Sequence, residues 1–323
     1  NNDLNLAVKT IESIAQSGAD AVKVQTFTAD SLTLNVDNEY FGPRKEGLWK
    51  GRTLYDLYTE GALPYEWHET LKNAANENGL LFFSSPFAKK DVDFLETLDV
   101  PMYKIASFEI TDIPLIEYVA SKNKPIIIST GIADKEDIQL ALDTCRKVGN
   151  NDITLLKCTS EYPATPEMAN LLTIPDLKDR FKVKVGLSDH TMGISVPVAA
   201  VALGATVIEK HFILNRDMGG IDSAFSMEPK EFAEMVESCK QAYSALGNVS
   251  YETTNRNSLR RRSLFVAEDL KEGDIITENN VRSVRPGNGL HPKYLSIILG
   301  KTVNKHLNKG EPFSLEHINK NND

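Results

Sequence analysis

The feature that most constrains this chain is a regular alternation of short apolar strands with amphipathic helical segments. Seven strand-like runs, rich in β-branched residues, follow one another along the sequence. Apolar residues at helical spacing separate them, for example at 134–148 and 193–203. The alternation predicts a parallel sheet covered by helices. The predicted strands are 21–27, 80–85, 102–107, 125–130, 153–159, 184–189 and 206–212.

Two folds satisfy this pattern. A closed (β/α)8 TIM barrel has eight strands in about 250 residues. The chain opens on a helical segment at 4–17 with no strand before it, so we expect the first barrel strand to be missing from this sequence. An open doubly wound sheet is the alternative, but no glycine-rich phosphate loop follows the early strands. The α/β TIM barrel is therefore the favoured prediction.

The pattern changes near residue 246. Residues 246–262 are polar and end in a basic run, which is typical of a linker. Residues 263–323 are short segments broken by dense glycine and proline turns, which predicts a small second domain. The expected organisation is a barrel domain at 1–245, a linker at 246–262 and the small domain at 263–323.

Composition excludes several classes of protein. The formal net charge of −9 argues against a partner that is nucleic acid or an anionic membrane. No apolar run is long enough to span a bilayer. The three cysteines, Cys145, Cys158 and Cys239, form no metal or disulfide spacing and fit a cytoplasmic location. Cys158 is expected to be a small buried hydrophobic residue.

Polar side chains gather at the carboxyl ends of the predicted strands, where barrels build their active sites. Buried polar groups need partners, so convergence of these ends at one rim indicates a binding site. The polar residues at these ends are Lys23, Gln25, Ser84, Ser85, Lys104, Ser107, Glu109, Ser129, Thr130, Lys157, Thr159, Ser160, Ser188, His190, Glu209 and His211.

Two of these residues, His190 and His211, close neighbouring strands at matching heights. A single strand-end histidine is more often a structural residue than a ligand. Two imidazoles on adjacent strands suit a divalent cation such as Mn, Co, Fe or Zn, with water or substrate completing the coordination. The structural and metal-binding alternatives both stay open at this point.

Lys23 and Lys104 lie within otherwise apolar strands, where a lysine is costly without an anion. Hydroxyl groups beside them would complete a cradle for phosphate or carboxylate. Ordinary salt bridges at the rim are the alternative.

The segment 34–63 is a long insertion after the first visible strand. Loops of this length are usually lids or binding loops, and a dimer contact is the alternative. Its aromatic residues are Tyr40, Phe41, Trp49, Tyr55 and Tyr58. In the second domain, the turn "RPGNG" displays Arg285, which by itself is simply an exposed arginine.

The ordered motifs "VKVQTF", "FFSSPF", "YKIASFEI", "STG", "CTSEYP", "GLSDHT" and "EKHF" resemble the sialic acid synthase family, whose members condense phosphoenolpyruvate with an amino sugar. The segment from Arg262 to Pro292 resembles the family's antifreeze-like (SAF) domain. The resemblance covers essentially the whole chain. "WKGRTLYDLY", "PMYKIASFEITD" and "DSAFSM" are most similar to the branch that makes pseudaminic acid, and the N-acetylneuraminate and legionaminate branches remain alternatives.

The resemblance implies roles for individual residues. His190 and His211 match the ligands of a divalent metal, Mn, Mg or Co, and with Lys23, Lys104 and Glu109 they form the expected catalytic set. The phosphoenolpyruvate site would comprise Lys23, Ser85, Lys104, Ser107, Ser129, Ser160 and Ser188. The sugar site would comprise Gln25, Glu109, Tyr162, Asp222 and Arg285.

The resemblance also implies an assembly. Arg285 matches the arginine that the antifreeze-like domain delivers into the partner's barrel, which implies a domain-swapped homodimer. The family's first strand carries a glutamate followed by an Asn-His pair, which this sequence lacks, so the proposed base that activates water is not among these residues.

Two other functions fit parts of the pattern. A metal-dependent aldolase that uses pyruvate would keep the barrel but release no phosphate. A carbohydrate-binding protein with an inert barrel is a more distant alternative, and the clustered strand-end lysines and histidines argue against it.

Overall fold

The computed structural model describes residues 3–45, 50–160, 164–220, 222–252 and 259–319. The chain forms two compact units, Asn1–Gly247 and Asn248–Asp323. Each unit has its own hydrophobic core.

The first unit is built on seven parallel strands that pair in chain order. The sheet is curled, because Lys23 on the first strand donates a hydrogen bond to Glu209 on the seventh, with 2.9 Å between Nζ and Oε2. The strands are β1 (Ala21–Thr26), β2 (Leu81–Pro86), β3 (Tyr103–Ile105), β4 (Ile126–Ser129), β5 (Ile153–Cys158), β6 (Lys184–Asp189) and β7 (Ile208–Lys210).

Helices separate the strands and cover the outside of the sheet. Several begin at an aspartate whose carboxylate accepts a backbone N–H of the first turn, as at Asp3, Asp112 and Asp134. The helices of this unit are α1 (Leu4–Gln16), α2 (Ala29–Leu32), α3 (Leu54–Gly61), α4 (His68–Glu77), α5 (Lys89–Thr97), α6 (Ile113–Ala120), α7 (Lys135–Lys147), α8 (Thr173–Phe181), α9 (Ser195–Ala202) and α10 (Pro229–Leu246).

The core of this unit has two layers. The larger lies between the sheet and the helices and includes Tyr103, Ile126 and Leu155. The smaller lies on the opposite face of the strands, where Phe83, Ile127 and Leu156 pack together. Because side chains alternate between faces, the residues two positions beyond this inner layer share its face at the carboxyl ends of the strands. The inner layer therefore forms an apolar floor below the polar strand ends.

Gly186 on β6 allows a close approach at this floor. A Cβ atom on this residue would lie 2.4 Å from the carbonyl oxygen of Val207 and 2.6 Å from Cδ2 of Leu156. Both distances are shorter than any normal contact, so β6 can pack against its neighbours here only without a side chain.

We therefore expect Gly186→Ala to lower the free energy of unfolding by about 1–3 kcal/mol through overpacking. Urea denaturation checks this, with Lys184→Ala at an exposed position of the same strand as the control. Equal stability of the two variants would show that the floor has room for a methyl group.

The second unit contains an antiparallel pair, β8 (Ser263–Val266) and β9 (Val281–Val284), and a short helix, α11 (Leu295–Ile298). Its core includes Leu264, Val281 and Phe313. The turn that begins at Arg285 is fastened to β8 through Ser263: the hydroxyl of Ser263 donates to the carbonyl of Pro286 (2.7 Å) and accepts from the backbone N–H of Gly289 (2.8 Å). Among the described residues, no helix has the length and apolar character needed to cross a membrane.

Candidate active site

A carboxylate bridges two lysines at the carboxyl ends of the strands. Oε2 of Glu209 accepts from Nζ of Lys23 (2.9 Å), and Oε1 accepts from the hydroxyl of Ser188 (2.7 Å). Nζ of Lys104 lies 3.5 Å from the same Oε1 and donates to the hydroxyl of Ser129 (2.7 Å). Side chains from β1, β3, β4, β6 and β7 thus meet at one point.

This cluster carries an excess of positive charge. Burial lowers the pKa of Lys104 to about 8, while the negative charge of Glu209 opposes that shift. Burial by itself would raise the pKa of Glu209, but Lys104 and Lys23 hold it well below its usual range. Two ammonium groups therefore share one carboxylate at neutral pH. The remaining positive charge favours binding of an anion.

A second group of polar side chains lies in the loops after β3, β4 and β5. The hydroxyls of Ser107 and Ser160 are 2.9 Å apart. A Cβ atom on Gly131 would lie 2.0 Å from Oγ of Ser160 and 3.0 Å from Cβ of Ser107. The absence of a side chain at Gly131 lets these loops approach and leaves both hydroxyls available as a small polar cradle.

Two buried side-chain polar atoms of the described residues have no hydrogen-bond partner, Oγ of Ser85 and Oε2 of Glu109. Burial raises the pKa of Glu109 to about 7, although the charge of Lys104 lowers it. Buried polar atoms normally have partners, so each such exception needs an explanation. A polar ligand at the carboxyl ends of β2 and β3 would supply the missing partners.

His190 and His211 lie side by side just beyond β6 and β7. Their ring centroids are 5.2 Å apart, and both rings pack edge-on against Phe225. Nδ1 of His190 lies 2.9 Å from the carbonyl oxygen of Thr159. A carbonyl only accepts, so Nδ1 carries a proton, and in the neutral ring the lone pair is therefore on Nε2.

His211 is held in the neutral form. Burial lowers its pKa to about 3, and the positive charge of Lys23 adds to the effect. Its Nδ1 lies 3.5 Å from Oδ2 of Asp222. A neutral imidazole is the form that binds a metal, so the two histidines fit a divalent cation. Within the described ranges, no set of three or more His, Cys, Asp and Glu side chains could enclose one.

Some strand-end residues face away from this site, and the prediction that they join one rim is wrong. Nζ of Lys157 donates to the carbonyl of Cys158 and to the hydroxyl of Thr159, each at 3.0 Å. Lys157 also lines a cavity beside α7 and α8. Ser84 donates to the carbonyl of Val24 (3.1 Å) on the helix side of the sheet. Strand alternation explains both cases, since each lies one position away from an inward-facing residue.

Cys158 and Glu209 take larger parts than the sequence indicated. Sγ of Cys158 lies 3.8 Å from the hydroxyl of Ser160. Cys158 is buried as expected, and burial would raise the pKa of its thiol, but hydrogen bonds with His190, Ser188 and Ser160 lower the pKa overall, so its contacts are partly polar. The sequence places Glu209 among the strand-end residues, on the same strand face as His211, but does not predict that its carboxylate bridges Lys23 and Lys104.

The other candidate residues divide by location. Gln25 is exposed and shares the strand face of Lys23. Asp222 lies beside His211. Arg285 belongs to the second unit. Tyr162 and Trp49 lie outside the described residues.

Helix α3, near the end of the long insertion at 34–63, packs against residues that follow β1 and β2. Tyr58 on α3 contacts Phe27, with 6.0 Å between ring centroids, and Phe27 contacts Phe87 at 5.3 Å. Burial raises the pKa of Tyr58, and the negative charge of Glu109 raises it further. Helix α3 therefore packs close to the strand ends of its own chain.

Comparison with known proteins identifies the family. Residues 10–251 match the family model of the NeuB family, and residues 261–319 match the SAF domain. The chain belongs to the NeuB family. It is 47% identical over 322 residues to pseudaminic acid synthase of Helicobacter pylori, covering 98% of this chain and 94% of that protein.

Other NeuB-family relatives are similar over comparable lengths. N,N'-diacetyllegionaminic acid synthase of Legionella pneumophila is 38% identical, covering 98% of this chain and 91% of the relative. The crystal structure of N-acetylneuraminic acid synthetase from Leptospira borgpetersenii, in complex with citrate, is 34% identical with a TM-score of 0.69, covering 80% of this chain and 88% of that one. The predicted sialic acid synthase family and its (β/α)8-type fold with an SAF domain are confirmed.

The unpartnered hydroxyl of Ser85 gives a test of the anion site. We expect Ser85→Ala to leave the free energy of unfolding unchanged or raise it by up to about 1 kcal/mol, because no internal hydrogen bond is lost. The same change should weaken binding of phosphoenolpyruvate about tenfold, measured by calorimetry, because one bond to a charged ligand disappears.

Ser84→Ala is the matched control. Its hydroxyl hydrogen-bonds with Thr26 and Val24. It should lower stability by about 1 kcal/mol and leave ligand binding unchanged. Normal phosphoenolpyruvate affinity in Ser85→Ala would remove Ser85 from the site.

Proposed function

We propose that this chain is a synthase that condenses phosphoenolpyruvate with 2,4-diacetamido-2,4,6-trideoxy-L-altrose to give pseudaminic acid and phosphate. The observation that carries the reaction class is the pair of lysines bridged by Glu209 beside two imidazoles. The choice of sugar is supported by the relatives named pseudaminic acid synthase.

The anion site suits phosphoenolpyruvate, which carries a phosphate and a carboxylate on a small carbon frame. Lys23 and Lys104 supply the charge, while Ser85, Ser107 and Ser129 are positioned to donate hydrogen bonds to its oxygens. Most of these groups are already held by contacts within the protein, so little reorganisation accompanies binding. Such preorganisation lowers the barrier by fixing geometry and stabilising charge on the leaving phosphate.

His190 and His211 would hold the divalent metal, Mn, Mg or Co. When bound, such a cation polarises the carbonyl oxygen of the open-chain sugar as a Lewis acid. The carbonyl of Thr159 fixes the tautomer of His190, and burial keeps His211 neutral. Both features prepare nitrogen lone pairs for the cation.

The methylene carbon of phosphoenolpyruvate attacks the aldehyde carbon of the sugar. Positive charge then develops on the former enol carbon, water adds there, and the tetrahedral intermediate expels phosphate. Glu109, with a pKa of about 7, can hold or release a proton near the sugar at neutral pH. Gln25, Tyr162 and Asp222 are proposed to bind sugar hydroxyl and amide groups.

We also propose that the working unit is a domain-swapped homodimer in which Arg285 enters the partner's site. Large apolar side chains are exposed in the loops after β3, β4, β6 and β7: Phe108, Ile132, Met192 and Met218. Exposed apolar groups around a mouth favour cover by another protein surface. A cytoplasmic location is proposed from the sparse cysteines of the chain.

The reaction is tested by measuring phosphate release from phosphoenolpyruvate with the diacetamido-altrose, N-acetylmannosamine or the legionaminate precursor as the second substrate. Release that depends on the first sugar supports the proposal. Preference for another sugar assigns the chain to that branch. Carbon–carbon bond formation from pyruvate without phosphate release would instead indicate an aldolase.

We expect His211→Ala to reduce metal-dependent turnover about 100-fold or more while the fold remains intact, because Lewis-acid polarisation contributes several kcal/mol. Circular dichroism checks the fold, and His306→Ala, at an exposed histidine of the second unit, is the control. Survival of turnover together with its metal requirement would show that the metal assignment is wrong.

We expect Arg285→Ala to raise KM for the sugar more than it weakens dimerisation, because one guanidinium contributes little interface area but directly contacts the substrate. Steady-state kinetics and sedimentation measure the two effects. Arg282→Ala, at an exposed arginine on β9, is the matched control. Unchanged sugar kinetics would remove Arg285 from the site.

A further inference from the structure

A buried ion pair lies behind the two histidines, on the opposite face of the sheet. Nζ of Lys210 is 2.8 Å from Oδ2 of Asp189, and the two side chains are 1% and 3% exposed. Asp189 and Lys210 are also direct partners in the β6–β7 pairing. Strand alternation turns them away from Ser188 and Glu209, so they belong to neither the anion cluster nor the histidine pair.

This ion pair forms the last link between the two strands before the histidines. The pairing of β6 with β7 ends at Asp189 and Lys210. His190 and His211 are the residues that directly follow β6 and β7. Beyond this point the backbone of each histidine turns to other partners, since its carbonyl accepts from Ala164 or Met227 rather than from the neighbouring strand.

Lys210 also holds the chain on both sides of His190. Its ammonium group donates to the carboxylate of Asp189 and to the carbonyl of Thr191. The Asp189 carboxylate in turn accepts from the backbone N–H and the hydroxyl of Thr191, each at 3.0 Å. Lys210, which directly precedes His211, is therefore hydrogen-bonded to Asp189 and Thr191, the two residues that flank His190.

Stability alone does not require such a pair. Two charges removed from water recover their desolvation cost only with good geometry, and apolar side chains of similar volume often serve equally well. A pair of hydrogen-bonded charges does fix direction and distance, which apolar packing does less strictly. Because the ion pair lies next to both imidazoles, it can fix their relative distance and orientation.

We propose that Asp189 and Lys210 are positioning residues that set the separation and orientation of His190 and His211, and through them the affinity for a divalent cation. The proposal rests on the metal assignment in the proposed function. Both side chains point to the helix side of the sheet, away from the face that carries Ser188 and Glu209. Groups that orient metal-binding histidines commonly change metal affinity 10–100-fold when they are replaced.

The test replaces both charges at once, with Asp189→Asn and Lys210→Met in one variant. Asparagine keeps an acceptor for the N–H of Thr191, and methionine retains much of the lysine volume, so the fold should survive. Mn²⁺ affinity of the purified full chain is measured by electron paramagnetic resonance without substrates. We expect about 10–100-fold weaker binding, with the thermal midpoint of the metal-free protein nearly unchanged.

The chain offers a matched control at the other end of β6. Lys184 and Asp152 form a bridge of 2.9 Å between the segments of β6 and β5, but their side chains are 66% and 53% exposed. The combined Asp152→Asn and Lys184→Met variant removes the same charges far from the histidines along the strand. It should bind Mn²⁺ as tightly as the unmodified protein.

The possible results distinguish failure of the positioning role from failure of the metal assignment. Unchanged Mn²⁺ affinity in the Asp189–Lys210 variant, with or without a lower thermal midpoint, would overturn the positioning role and leave the metal site standing. Failure of the unmodified protein to bind Mn²⁺, Mg²⁺ or Co²⁺ would overturn the metal assignment and this inference together. If the double variant does not fold, Asp189→Asn alone is judged by the same affinity criterion.

Discussion

The carboxylate of Glu209 is the contact on which the rest of the site depends. It brings Lys23 from the first strand and Lys104 from the third to the seventh strand of a curled sheet. Two ammonium groups so close together would repel each other without it, and the burial of Lys104 already favours loss of its proton. One shared counter-charge keeps both lysines near an open anion site and still leaves a positive excess. The same interaction therefore connects the first, third and seventh strands and sets the charge of the anion site.

The alternation of strand side chains divides the work of each strand between two faces. Ser188 on β6 and His190 just beyond it face the site, while Asp189 pairs with Lys210 on the helix side. The floor of Phe83, Ile127 and Leu156 closes the inside of the sheet below these polar groups. An apolar floor raises the strength of every charge interaction above it, because nearby water is limited. Packing, positioning and chemistry therefore share the same short strands.

Periodicity predicted the strands and their order because each buried strand is a short apolar run with its own flanking helix. The segment 184–189 matches β6 residue for residue, whereas 102–107 is too long, because a turn in which the N–H of Glu109 bonds to the carbonyl of Ala106 follows Ile105. The histidine pair could also be predicted from the sequence, because His190 and His211 come at matching positions at the ends of neighbouring strands. The role of Glu209 could not be predicted, because it depends on which lysines reach its carboxylate across the curled sheet. The prediction placed Lys157 at the site because it counted polar residues at the strand ends without asking which face of the sheet each one occupies.

Central to this account is an anion site whose affinity depends on the charge of Lys104. The direct measurement is calorimetric titration of phosphoenolpyruvate between pH 7 and pH 9, with Glu209, Lys23 and Glu109 as the neighbouring charges. Since the pKa of Lys104 is about 8, its charge is present below that pH and lost above it, so the dissociation constant should rise about tenfold over this interval. Lys104→Gln should bind weakly at both values and keep only the small pH dependence that comes from ionisation of Glu109, whose pKa is about 7. A constant, tight affinity of the unmodified protein across the whole interval would contradict the account.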